Sequence, residues 1–538
     1  MLFKHLKISS LRNKKGKQNR KMTITTFCNI TPHPTLHSGL LALLLSVAIS
    51  VFAEDAQKAI ARQDSLHLDF RAALWQNPAL MSKSQQPSLS QLLFSYRTTP
   101  ATQAKIPQLG NGETALTFSA KTFQSLSGKD AVWGNASYEN GKRRDVVWNE
   151  TSDFLLLFPY VLADPVGGDM QHEQYTLNGG YTLQLKQHLI GAELGYRALS
   201  EYRMCDPRPN NTTAYLYGKL GYGRQLLTHH IVAASVALGK YKQTNELAFL
   251  NELGAEREYH LTGIGNDFTR FSGASNNAFY KGHSINLSLE WLSLTEKGFS
   301  ASVGYESNTI DKILSDLNYL PLNRLQLSTF RSELTWKTAT YGFRLVSKHS
   351  GRDGNDNLFG DASSNVYPQI GTRKQYKHTS HEVALSGFYE TKVNQTWQIY
   401  VEPQTKWTTF ESRHYDSDNQ LSVSHLAFGT RLCTTMQQPS GRLYAELSYL
   451  YRSALSHQLQ LNKVADQKRT SEKKNLTETF QYIDAYLGNT ETQTKLTIGY
   501  DFTIWQNKAI TAALSWQYDR YLTTAHQNSL SATIGIAL

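Results

Sequence analysis

Five histidines carry the most specific chemistry in this sequence. His349, His378, His381, His414 and His425 sit at or beside the ends of successive segments that alternate apolar and polar residues. Neutral imidazole is a ligand for zinc, copper, nickel and haem iron. If those segments run alternately up and down, the five reach the outer ends of four consecutive strands. The expectation is then a rim that captures metal or haem. The chain holds 17 histidines, so a scatter of polar loop residues explains the same positions and stands beside that reading. Residues 353–361, Asp-Gly-Asn-Asp-Asn-Leu-Phe-Gly-Asp, hint at calcium. Leu358 stands where an EF-hand loop needs glycine, so a solvated loop is expected there.

Other reactive groups lack a diagnostic setting. There is no Gly-x-Ser-x-Gly nucleophile elbow and no His-Glu-x-x-His pair. No catalytic residue and no cofactor is expected, and the chain reads as a non-enzyme. Of the three cysteines, Cys28 precedes a long apolar run. Cys205 falls in a long polar link, and Cys433 near a short turn. In a membrane-spanning barrel the last two lie roughly 25–30 Å apart, too far to bridge. Two free thiols are the expectation.

The elements that would position these groups start after a leader. Residues 1–53 contain eight Lys or Arg and no Asp or Glu, and residues 39–53 form a 15-residue apolar run. Val51 and Ala53 suit signal-peptidase cleavage before Glu54. Translation from Met22 would shorten this leader without changing the expected export. Removing those eight from the 55 basic residues leaves 47 against 44 acidic. The formal net charge of +11 therefore belongs mostly to the leader. No basic tract with interleaved aromatics remains, and nucleic acid is not an expected partner.

From about residue 115 onward the pattern has period two. Ile285, Leu287, Leu289 and Trp291 oppose Ser284, Asn286, Ser288 and Glu290; Leu530, Ile534 and Ile536 oppose Ser531, Thr533 and Gly535. Period two is a β-strand with one apolar and one polar face. The segments match the roughly 9–11 residues a tilted strand needs to cross a bilayer. Very short links at 140–143, 186–187, 227–228, 295–297, 338, 392–395, 437–440 and 506–507 alternate with long polar ones. The long links are 151–172, 203–212, 243–278, 309–322, 350–375 and 454–492. Trp and Tyr gather at segment ends, as an interfacial girdle requires (Trp291, Trp336, Trp505, Tyr175, Tyr451). Backbone groups in hydrocarbon must pair, so the sheet must close. The expected fold is all-β: a transmembrane antiparallel β-barrel of about 16–18 strands, with 14 still open, spanning 111–538. Residues 54–110 are expected to form a periplasmic extension or a plug, opening with a helix-like stretch at 56–74.

The leader, the Trp75-Gln76-Asn77-Pro78-Ala79 motif and the barrel pattern together resemble the large outer-membrane β-barrel families of Gram-negative bacteria that carry no assigned function. The Asn77-Pro78-Ala79 triplet, after an amphipathic segment, also resembles the start of hydrophobic-compound transporters of the fatty-acid-channel type. These resemblances imply a barrel and an outer-membrane location. They transfer no catalytic residue. The final strand, ending on Leu538, resembles the strand by which such barrels are recognised by the barrel-assembly machinery. Lys468, Arg469, Lys473 and Lys474 form a basic patch that would face lipopolysaccharide or simply solvent. The expected function is passage or surface capture of small solutes. A non-conducting scaffold for a receptor or lipoprotein partner is the alternative, and an outer-membrane hydrolase the third reading. Lumen-facing charges of both signs (Glu193, Arg197, Lys219, Glu290, Glu306, Arg344, Arg431, Glu446, Arg452) disfavour strong ion selectivity.

Overall fold

Alternation becomes a two-faced wall. On the strand holding residues 285–291, Ile285, Leu287, Leu289 and Trp291 are exposed on the outside, while Ser284, Asn286 and Ser288 turn inward and Glu290 is buried. The same outward set recurs round the molecule at Leu194, Leu220, Leu238, Leu514 and Ile534, each at least 60% exposed. A soluble sheet would bury these side chains; here they form an apolar outer belt. No helix among the described residues is long and apolar enough to cross a membrane.

The structure is a computed structural model. It describes residues 56–63, 76–84, 86–227, 229–251, 258–271, 277–295, 297–362, 366–462, 470–505 and 508–538. The expected leader, its cleavage site, Cys28 and the basic pair Lys468-Arg469 lie outside the described residues. In chain order the elements are α1 (Ala56–Gln63), β1 (Leu89–Thr98), β2 (Gly112–Ser125), β3 (Asp130–Val146), α2 (Phe154–Leu157), β4 (Leu162–Ala163), β5 (Gly168–Leu185), β6 (His188–Arg203), β7 (Arg208–Leu227), β8 (His230–Ala248), β9 (Tyr259–Gly263) and β10 (Asn266–Asp267). There follow β11 (Ala278–Ser293), β12 (Gly298–Leu314), β13 (Leu320–Lys337), β14 (Tyr341–Phe359), β15 (Gln369–Lys392), β16 (Trp397–His414), β17 (Asn419–Gln438), β18 (Gly441–Gln460), α3 (Thr470–Leu487), β19 (Glu491–Trp505), β20 (Lys508–Arg520) and β21 (His526–Ala537).

Eighteen strands form one antiparallel sheet in which each strand pairs with its neighbours along the chain. β4, β9 and β10 stand apart as a small separate sheet. β1 pairs with β2 on one side and with β21 on the other, from Gln91 opposite Ala537 to Thr98 opposite Leu530. That seam closes the barrel and leaves no edge in hydrocarbon. Fourteen strands is thus corrected to eighteen.

The count of eighteen is reached by a different set of strands at the N-terminal end. The stretch 54–110 contains β1, so the barrel begins at Leu89 rather than at 111. The expected turn at 140–143 is no turn: β3 runs through it. Asn140-Gly141 looks like a hairpin dipeptide, yet the chain turns earlier, at 126–129, where Gly128 takes φ +68°. Residues 115–123 consequently run toward the short-turn rim, not away from it. The other seven short links fall where expected.

The long links do not all stay outside. Trp148, Tyr160, Leu162, Tyr259 and Leu261 come from links 147–167 and 249–277. They pack against Tyr241, Tyr280, Ile310, Leu325 and Tyr376, which point inward from the wall. Wall donors satisfy the backbone of the inserted loop. Tyr280 Oη donates to Tyr160 O (3.0 Å), Lys312 Nζ to Val161 O (3.1 Å), and Asn211 and Asn245 Nδ2 to Glu150 O (2.8 Å each). α3 joins them through Leu476, Phe480 and Ile483, spaced four and three apart on one helical face. An apolar core therefore fills the outer part of the barrel interior.

Candidate functional site

The lower closure is built from a local cap. Asn77 Oδ1 accepts from Ala79 N (3.0 Å), and Pro78 opens a short 3₁₀ helix, Pro78–Lys83. This turn lies on the inner wall near the short-turn rim. Asn77 Nδ2 donates to Glu290 Oε2 (3.0 Å), Thr182 Oγ1 to Ala79 O (3.1 Å), and Lys219 Nζ to Gln76 O (2.7 Å). Gly191 lies directly beneath Pro78, where any Cβ would strike the turn's backbone. Ala59 and Ile60 of α1 pack nearby against Leu89, Ala509 and Ala537 at the ends of β1, β20 and β21.

Between the turn and the inserted loops lies a cavity of about 630 Å³. Trp133, Tyr215 and Tyr217 supply aromatic faces, and Asn178, Glu193 and Lys219 supply polar ends. Both oxygens of Glu193 are occupied, by Trp133 Nε1 (3.1 Å) and Tyr217 Oη (2.7 Å). A second cavity of about 250 Å³ shares Tyr215, Ser284 and Glu306 with the first. A third, about 380 Å³, shares Leu156 and Arg197 with the second. The three adjoin one another along one side of the lumen, from β2's lower end toward its outer end.

Charges on the inner wall are mostly paired. Glu333 meets Arg331 (3.1 Å) and Arg344 (2.9 Å), Arg431 meets Glu402 (2.8 Å), and Arg442 meets Asp501 (2.7 Å). Such pairs leave little net field for ion selection. From the end of β6, Arg203 Nη2 reaches Asp164 (2.6 Å) and Glu150 (3.3 Å) of the inserted loop, all without solvent exposure. Burial, together with the neighbouring Glu258 and Asp164 carboxylates, holds the Glu150 carboxyl well above its ordinary value despite Arg203.

The structure brings two of the five expected histidines together and separates the other three. His349 and His381 are cross-strand partners on the outer surface, Nδ1 to Nδ1 3.0 Å. His378 hydrogen-bonds Ser412 Oγ (2.7 Å). His414 is buried beside Thr262 Oγ1 (3.3 Å) and Ser417 Oγ (3.0 Å), where Gly263 leaves room for its ring. His425 Nε2 contacts Leu487 O (2.7 Å) at the end of α3. Asp353–Phe359, expected as a loop, belong to β14; Asp356 is buried and accepts from Asn323 Nδ2 (2.9 Å). Cys205 and Cys433 are both free thiols.

One group escaped sequence reading. Glu113, Glu139 and His172, on adjacent β2, β3 and β5, place one ligand atom each within 4.8 Å of one another. They lie 26 and 33 residues apart in sequence, and only strand register unites them: Glu113 opposes Arg143, Glu139 opposes Gln174, and His172 opposes Gly141.

A family profile described as "Family of unknown function (DUF6850)" matches residues 78–538, and the chain belongs to that family. No curated protein matches it. Among solved structures, the CymD monoaromatic hydrocarbon channel is similar at 10% identity, covering 86% of this chain and 91% of that one, with a TM-score of 0.29. The Ralstonia pickettii toluene transporter TbuX aligns at 10% identity over 87% and 92%, TM-score 0.25. The siderophore receptor PiuA from Acinetobacter baumannii aligns at 9% identity over 83% and 82%, TM-score 0.38. The barrel itself rests on its hydrogen-bonded closure.

Proposed function

We propose that this member of the DUF6850 family admits small, weakly charged solutes across the outer membrane of a Gram-negative bacterium, after export by the leader and insertion through the last strand. The observation that carries this reading is the row of adjoining cavities inside a barrel whose charges are mostly paired with each other or held by neutral partners, as Glu193 and Lys219 are. Aromatic faces beside amides and carboxylates suit a solute with one apolar face and several hydrogen-bonding groups. The inserted loops and the Asn77 turn make the path gated rather than open. Flux of monosaccharide-sized neutral solutes into proteoliposomes tests it. The wild type should pass at least one such solute faster than protein-free vesicles do. Trp133→Ala or Tyr217→Ala should change that rate. Absence of flux for all solutes would favour a non-conducting scaffold, a reading that the filled outer interior also suits.

A further inference from the structure

We propose that Glu113, Glu139 and His172 form a binding site for a divalent transition-metal ion of the zinc class, on the inner wall and open to the 380 Å³ cavity. The three side chains come from neighbouring strands at positions that alternate inward with Thr117, Ser137 and Gln174. Glu113, Glu139 and His172 all line that cavity. His172 lies three positions nearer the outer end than Tyr175, whose ring meets Tyr138 at 4.9 Å.

The two distances from the imidazole fit a metal before any movement, and the two carboxylates lie within 4.8 Å of each other. His172 Nε2 stands 3.3 Å from Glu139 Oε1 and 3.7 Å from Glu113 Oε1. Ligands bound tetrahedrally at about 2.0–2.2 Å are separated by about 3.4 Å. Each carboxylate also divides its oxygens. Glu139 Oε2 accepts from Thr117 Oγ1 (3.0 Å), with Arg97 Nη2 at 4.0 Å. Glu113 Oε2 accepts from Arg97 Nη2 (2.9 Å). Both Oε1 atoms are thereby left turned toward the imidazole. Anchoring of the outer oxygen is how ligating carboxylates are oriented.

The ring has a prepared seat. His172 is about nine-tenths buried, and its edge lies over Gly141, where a Cβ would fall 2.6 Å from Cε1 and 2.7 Å from Nε2. Its Nδ1 is buried with no partner, so no hydrogen bond there dictates which nitrogen carries the proton. With a neutral imidazole, two carboxylates against one Arg97 leave the cluster one negative charge in excess, which a cation would balance. Two oxygens and one imidazole, with no thiolate, select zinc, cobalt or manganese over copper(I). The competing arrangement is a plain ion-pair network centred on a protonated His172.

Titration of the detergent-folded full chain with Zn²⁺, and the visible absorption of added Co²⁺, decides between them. Wild type should bind one ion that His172→Ala and Glu139→Gln each weaken at least tenfold. Gly141→Ala, which displaces the ring but removes no ligand, should weaken it too. The His349→Ala/His381→Ala double variant should retain the ion. Faster migration of unboiled than of boiled samples on gels establishes that each variant is folded. A wild type that binds neither ion overturns the proposal. So does affinity unchanged in His172→Ala, or lost only in the outer double variant. The proposal is separate from solute passage: metal binding without flux, or flux without metal, tells the two apart.

Discussion

At the scale of single residues, the sharpest dependence lies in the inserted loop. Arg203 pairs with both Glu150 and Asp164, and none of the three side chains touches solvent. Removing one partner of a buried pair strands the others, at a cost of about 3–5 kcal/mol. Arg203→Ala should therefore loosen residues 147–167 and expose them to protease in folded protein. Glu150 gives the same contact a pH dependence. Burial first, and then Glu258 and Asp164, raise its folded value above the ordinary 4.5, while Arg203 opposes them. An acid raised on folding stabilises fully below its unfolded value and loses that contribution as pH rises through the folded one. Protection of the loop should accordingly fall as the solution is made more alkaline than the ordinary glutamate range. Glu150→Gln, which mimics the protonated acid, should flatten that profile. A profile equally steep in the variant would assign the titration to another group facing the loop, such as Tyr280 or Lys312. None of this was legible from residue types. Glu150 and Arg203 lie 53 positions apart, and their meeting depends on a loop that turns inward instead of outward. The separation of the five histidines has the same cause. Strand parity sets which way each points: His349 and His381 point outward, while His378, His414 and His425 point inward to separate partners. Of the five, His414 ends its strand, and the other four lie within β14, β15 and β17 rather than at their ends.

At the scale of elements, strands that alternate cleanly were readable and those with mixed faces were not. β11 and β21 could be traced side chain by side chain. β1 was missed because Leu89-Ser90-Gln91-Leu92-Leu93-Phe94 breaks period two. Leu93 is an inward apolar residue there, filling the space that Gly535 leaves across the seam. α3 was hidden inside a long polar link because its apolar face begins only at Leu476, after a polar first turn and a half. The Asn77 turn was visible as a triplet, yet its docking depends on small residues far away. Gly191 admits the turn only because it has no side chain. Gly191→Leu should evict the Asn77–Ser84 segment while leaving β6 paired. In planar bilayers that variant should show larger or more frequent openings than wild type. Lys219→Ala, which removes the bond to Gln76 O but leaves the seat over Gly191 intact, should have a smaller effect in the same direction. Equal currents from all three proteins would mean that this turn closes nothing.

At the scale of the whole molecule, one seam carries the architecture. Seventeen pairings join strands that follow one another along the chain; the eighteenth joins β1 to β21, 438 residues apart at Ser95 and Thr533. Ser95 is held on both sides, opposite Thr117 and Thr533, so its strand has no solvent-facing edge at that point. Proline there would remove a donor from a ladder that hydrocarbon cannot replace, a loss of about 3 kcal/mol or more before any reopening of the seam. A closed barrel has every strand clamped by two neighbours, so detergent at room temperature should leave it folded and faster-migrating on gels until boiled. Ser95→Pro should lose that difference and aggregate without detergent. Ala362→Pro, at an exposed position after β14, should keep it. If the wild type instead stayed in aqueous solution and ran identically boiled or not, the exposed Leu194, Leu238 and Ile534 would need some cover other than lipid. The seam would then be ordinary sheet pairing, and Ser95→Pro would cost stability without changing the protein's partition between water and membrane.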